Sequence, residues 1–152
     1  MFLRPFACAA LVALLAGPAF ASTISFTKQL LDTRFYSEGV AVAEVNHGGH
    51  PDVLAGPYWF EGPGFTRKHE MRAPLAYNSE SYSDAFMMDA YDFDRDGRTD
   101  VLQVGWPGRE ALWFKNPGPA GGDWPRRVVF PSVGTESPTL LNLVGDGKPE
   151  LV

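Results

Sequence analysis

The sequence predicts an all-β protein made of repeated four-stranded units. Three observations point there. Glycine and proline number 16 and 13, more than helix interiors tolerate. Aromatic residues make up 13% and hydrophobic residues 45% of the chain, enough apolar material for a core and too much for a disordered tail. The chain also resembles itself at a spacing of about fifty residues, the scale of repeat architectures. No stretch beyond the N-terminal segment shows helical periodicity.

The N-terminal segment reads as an export signal over residues 1–21. Arg4 supplies a positive start, and Phe6 to Ala16 is an apolar run too short to span a bilayer. Ala19-Phe20-Ala21 forms a small-residue cleavage site, which sets the expected mature start at Ser22. The expected destination is secreted or periplasmic, with no membrane span after cleavage. Cys8, the single cysteine, leaves with the signal. The mature chain then has no disulfide, so packing or a metal must supply any staple.

Residues 22–152 are expected to hold the repeats, with units near 37–82 and 83–136 and a truncated unit at 137–152. Three loop segments align: Glu44 to Leu54, Asp92 to Leu102 and Asn142 to Val152. Their glycines Gly49, Gly97 and Gly147 recur at separations of 48 and 50, as do Asp52, Asp100 and Glu150. Ser37-Glu38-Gly39, Ser83-Asp84-Ala85 and Ser137-Pro138-Thr139 precede the loops. Tyr58-Trp59-Phe60 and Leu112-Trp113-Phe114 follow the first two at an offset of 54, which places a six-residue insertion near Gly105-Trp106-Pro107-Gly108.

The strands follow from this alignment. Gly39 to Val45, Ala85 to Tyr91 and Pro138 to Leu143 lead into the loops. Asp52 to Ala55, Asp100 to Val104 and Glu150 to Val152 lead out of them. Tyr58 to Phe60 and Ala111 to Lys115 are third strands, closed by Pro-Gly turns, and Arg67 to Met71 and Arg126 to Phe130 are fourth strands. Four short strands in about fifty residues is the unit of a β-propeller blade. The expected fold is therefore a partial β-propeller of about 2.5 four-stranded blades. Propellers close with ~4–8 blades, and the sequence stops within a strand of the third unit. The expectation is a fragment of a larger propeller, whose remaining blades would be its partners.

The second loop carries the clearest chemistry. Asp92, Asp94, Asp96 and Asp100 lie within nine residues around Gly97. Clustered carboxylates repel unless a cation sits among them, and oxygen-only ligands in a flexible loop favour Ca²⁺. Gly97 permits the sharp turn, and the Arg98 backbone carbonyl can add a ligand. An EF-hand would need a bidentate Glu at position twelve, where this chain has Gln103, and its flanks would be helices rather than strands. The sister loops are weaker candidates. The first offers Glu44, Asn46 and Asp52 with Gly48 in place of the third acid. The other offers Asn142, Asp146 and Glu150 with Val144 in place of a ligand.

At these residues a resemblance emerges. Asp92 to Leu102 resembles the calcium loop of FG-GAP/VCBS repeats, the blade type of the integrin α-chain propeller. Trp113-Phe114-Lys115-Asn116-Pro117-Gly118 is similar to the W-[FY]-E-N-P-G segment of secreted bacterial members. The resemblance spans roughly Thr27 to Val152. It implies a calcium-stabilised propeller that serves as a binding or adhesion module for a protein or glycan ligand. A sub-branch resembles the propeller part of aldos-2-ulose dehydratase, which implies as an alternative a part of a carbohydrate-active enzyme.

Other classes fit poorly. Lys and Arg total 13 against 18 Asp and Glu, a net charge of −5, which argues against nucleic acid as a partner. The chain lacks a G-x-S-x-G elbow, an H-E-x-x-H motif and a phosphate-binding loop, so no residue is read as catalytic. His47 and His50 stand three apart, but nothing completes a zinc tetrahedron around them, and they are read as turn residues. Trp59 and Trp113 recur at a repeat position and are read as core. Trp106 and Trp124 lie in Gly/Pro-rich turns and are the candidates for ligand contact.

Overall fold

The computed structural model describes residues 23–152. The expected signal peptide, Ser22 and Cys8 lie outside the described residues. Strands β1 (Ala41–Ala43), β2 (Asp52–Ala55), β3 (Tyr58–Phe60) and β4 (Lys68–Glu70) form one sheet in the order β1-β2-β3-β4. Strands β5 (Met87–Tyr91), β6 (Asp100–Val104), β7 (Arg109–Phe114) and β8 (Arg126–Val133) form a second sheet in the same sequential order. Strands β9 (Leu140–Leu141) and β10 (Glu150–Leu151) pair as a two-stranded hairpin. Every pairing is antiparallel. The fold is thus all-β, with three antiparallel sheets of which none closes on itself. Among the described residues the single helical turn is a short 3-10 segment, Gly118–Ala120.

The registers of the two larger sheets correspond residue by residue. Val53 pairs with Phe60 in the first, and Val101 pairs with Phe114 in the second. These are the residues aligned above at offsets of 48 and 54. The six extra residues fall where β6 meets β7: the first sheet turns through Gly56-Pro57, the second through Gly105 to Gly108.

Burial alternates along β2, with Asp52 and Leu54 buried and Val53 and Ala55 half-buried. One face of this sheet meets the second sheet, and the other carries Tyr36, Tyr58 and Phe60. All five residues of β6 are buried, as expected of a strand covered on both faces. Val101, Leu112 and Phe114 pack with Leu54, Trp59 and Met71 of the first sheet. Leu102, Val104 and Ala111 face the other way, against Leu140 and Leu151 of the small hairpin. The second sheet is thus the middle layer of a stack. Gly39, just ahead of β1, lets the chain press against the second sheet: a Cβ there would meet the backbone of Met87 and Met88 at 2.8 Å. Glu38 ties the two segments together by accepting from the Ser83 amide at 3.1 Å and from its hydroxyl.

Some strands differ from expectation at their ends. The first stops at Ala43 rather than Val45 because the Val45 amide donates to the Asp52 carboxylate instead of a ladder partner. The strand expected over Pro138 to Leu143 contracts to Leu140–Leu141, because the Leu143 amide goes likewise to Glu150. The last strand of the second sheet runs on to Val133, and β7 begins at Arg109 with irregular register.

Candidate functional site

The three loops share one backbone trace. His47, Arg95 and Gly145 have φ of 59°, 61° and 78°, and Gly49, Gly97 and Gly147 have φ of 79°, 86° and 83°. Each loop therefore passes twice through the left-handed region, which reverses the chain within a few residues. His47 has such a turn position, and Gly occupies the second one in all three loops.

Loop carboxylates close this trace on its own amides. Asp92 accepts from the Asp96 amide at 3.1 Å and the Gly97 amide at 2.9 Å. Glu44 makes the equivalent contacts with Gly48 and Gly49 at 3.0 and 2.6 Å. Burial pushes the Glu44 carboxyl up, but these amides outweigh it and hold it below the usual carboxylate range. Asn46 accepts from Gly48 at 2.9 Å, Asn142 from Gly145 at 2.8 Å and Asp146 from Lys148 at 2.9 Å.

A second acid in each loop locks it to the strands. Asp52 is 1% exposed; its oxygens accept from Val45 and Gly62, both at 2.8 Å. Asp100, fully buried, accepts from Phe93 at 3.3 Å and Asn116 at 2.8 Å. Glu150 accepts from Leu143 at 2.8 Å. Each clasp reaches seven residues back, and in the two full sheets it also reaches the second residue beyond the third strand. By sequence alone these acids read only as metal-ligand candidates. Their equal spacing was the available signal for a structural role.

In the second loop the acids also converge. Asp92, Asp94 and Asp100 each offer a carboxylate oxygen, and these three atoms lie within 4.8 Å of one another. Two ligands of one Ca²⁺, each at ~2.3–2.6 Å, can be at most about 5 Å apart, so the trio fits a common hard cation. A carboxylate has about four lone-pair positions, which leaves Asp92 and Asp100 capacity beyond their amide partners. Burial raises the Asp100 carboxyl above its ordinary value despite the Asn116 amide, and a cation beside it would offset that penalty.

Asp96 is not brought into the trio. Its Oδ1 accepts from the Arg98 amide at 3.0 Å and its Oδ2 from the Arg98 guanidinium at 3.0 Å. Lys115, at the end of the third strand, lies 2.9 Å from Asp96 Oδ2 and also contacts Asp94. Hydrogen bonding to Lys115 holds the Asp96 carboxyl below its usual range, and Asp94 and Asp96 in turn raise the Lys115 ammonium. The position equivalent to Lys115 in the first sheet is Glu61. Lys115 thus places an ammonium beside the most acidic loop.

Two of the clefts beside the middle sheet hold the candidate tryptophans. One, of about 630 Å³, opens between the sheets and is lined by His47, Trp59, Glu61, His69, Arg98 and Trp124. The His69 ring stacks on Trp59 at 3.9 Å and 8°, with Nε2 3.1 Å from Glu61. Trp124, a ligand-contact candidate in the sequence, is only 6% exposed and packs in the core cluster, and its amide donates to the Met71 carbonyl at 2.7 Å. It contributes a wall rather than an open face. Trp106, the other candidate, is 39% exposed and stacks on Tyr82 at 4.5 Å. It lines the second cleft, of about 780 Å³.

Among the described residues no helix is long and apolar enough to cross a membrane. No family model, curated protein or solved structure matches the chain.

Proposed function

We propose that this chain is an exported, calcium-stabilised β-propeller module whose role is to bind a protein or glycan ligand. One observation carries the reading: three carboxylates at the head of a central strand converge within 4.8 Å of one another. Asp92, Asp94 and Asp100 would hold the ion. Ca²⁺ would neutralise the loop and fix the turn between β5 and β6. The same loop trace recurs in the two sister loops with fewer acids, so the ion is assigned to the second loop and the others keep only the turn. The stack of four-stranded sheets in sequential order supports blades of a propeller, with the loops along one edge.

Calcium titration of EDTA-treated protein tests this. At a tenfold excess over Kd, calcium should add about 1.4 kcal/mol of stability. Unchanged melting on addition of millimolar calcium would overturn the reading, because extracellular loops of this class bind at ~10⁻⁴–10⁻³ M.

A further inference from the structure

One place where the second sheet departs from the first is the six-residue extension between β6 and β7. Trp106-Pro107-Gly108-Arg109 makes a type II turn there. The Arg109 amide donates to the Trp106 carbonyl at 2.9 Å, with proline second and Gly108 third at φ 88°. The Cα atoms of the first and last residues of such a turn lie within ~7 Å of each other, so the backbones of Trp106 and Arg109 stand side by side. Tyr82, itself 53% exposed, stacks beneath Trp106 at 4.5 Å and 21° and leans edge-on against Phe86 at 5.8 Å. The result is an aromatic shelf on a cleft of about 780 Å³.

The charges around the shelf are uneven. Arg109 and Arg126 both line the cleft. Among the described residues neither has a carboxylate within ion-pair distance. Asp84, also on the wall, is neutralised by Arg72 at 2.7 Å, and Arg72 reaches the buried Gln103 at 3.3 Å. Glu110 is the remaining acid on the wall. The cleft therefore carries a local positive excess in a chain of net charge −5.

The two arginines are anchored at opposite ends of the strand pair. Arg109 starts β7, and Arg126 pairs with Phe114 at its other end. Five residues of strand separate these positions, about 17 Å at ~3.4 Å per residue. A compact anion would engage one of them. An extended chain with repeated anionic groups would engage both, and guanidinium forks suit carboxylates in particular.

We propose that this cleft binds an acidic oligosaccharide, with a sugar ring on the Trp106–Tyr82 shelf and uronate carboxylates on Arg109 and Arg126. The aromatic faces accept the C–H side of a sugar ring, and the Ser81 and Asp84 wall offers partners for hydroxyls. The proposal rests on the reading of the chain as a ligand-binding module and names its ligand class.

The test uses the full chain with a hyaluronan tetrasaccharide, whose glucuronates bear carboxylates, and the methyl ester of the same tetrasaccharide. Tryptophan fluorescence and calorimetry follow binding, and calcium-dependent melting is recorded on the same samples. The acid form should bind about tenfold to a hundredfold tighter than the ester, the loss expected when charge-assisted hydrogen bonds are removed. Trp106→Ala should weaken both forms at least about tenfold, and Arg109→Gln with Arg126→Gln should abolish the preference for the acid. Equal binding of acid and ester, or no binding of either by protein that still gains stability from calcium, would overturn this proposal alone. Loss of the calcium response with the acid preference intact would overturn the metal reading and leave this one standing.

Discussion

Asp52→Ala should be among the most damaging single substitutions in the first sheet. Asp52 is 1% exposed and accepts two amide hydrogens at 2.8 Å, from Val45 and Gly62. Hydrogen bonds to a charged acceptor contribute ~1.5–3 kcal/mol each, and a buried amide left unpaired carries its full desolvation cost. Two such bonds give about 3–6 kcal/mol. The Gly62 amide is only partly buried, so water can replace part of that contact, and the expected loss is about 3–4 kcal/mol. Urea denaturation at neutral pH, followed by tryptophan fluorescence, measures it. Glu150→Ala is the internal control. Glu150 makes the same seven-residue clasp with Leu143, but in an exposed hairpin and with one amide. Its loss should stay below about 1 kcal/mol. If Asp52→Ala costs less than about 1 kcal/mol, or no more than Glu150→Ala, the clasp does not hold the sheet together.

Lys115→Met should move two quantities in opposite directions. The Lys115 ammonium contacts Asp94 and Asp96, so a divalent cation must displace it. Its removal should tighten calcium binding about two- to fivefold, the worth of a partly exposed ion pair, while lowering the melting temperature in EDTA; an unchanged Kd by calorimetry would refute this. Asp89→Asn should stabilise the fold more at pH 7.5 than at pH 4. Burial raises the Asp89 carboxyl, so the folded state favours the proton, and the wild type loses stability as pH rises past the ordinary carboxylate value. Urea midpoints at the two pH values check it, and a gain independent of pH would count against it.

The strands were legible because alternation and turn residues act locally. Asp52–Ala55, Tyr58–Phe60 and Asp100–Val104 fall where the sequence placed them, and the six-residue insertion at Trp106 follows from two unequal offsets. What escaped the sequence depends on contacts between distant residues. Asp96 reads as a ligand by spacing, but its contacts with Arg98 and Lys115, and its absence from the three acids that converge, depend on the fold. Trp124 looked like a loop aromatic, yet its amide reaches Met71 of the other sheet and its ring enters the core. The clasp of Asp52 and Asp100 was visible as a repeated acid, but its partners are backbone amides, which carry no sequence signature. That Arg109 and Arg126 have no carboxylate within ion-pair distance among the described residues likewise depends on where the acids of the fold end up.

Asp94 gives the cleanest test of the metal loop. Its carboxylate belongs to the converging trio, and its side-chain partner is Lys115 rather than a loop amide. Asp94→Asn can therefore weaken the ion without opening the turn. Calcium should be titrated calorimetrically into EDTA-treated wild type, Asp94→Asn and Asp146→Asn. The wild type should bind one Ca²⁺, Asp94→Asn should bind at least about tenfold more weakly through loss of a charged ligand, and Asp146→Asn should match the wild type. Equal affinities for wild type and Asp94→Asn, or no calcium binding by either, would contradict the assignment of the ion to this loop.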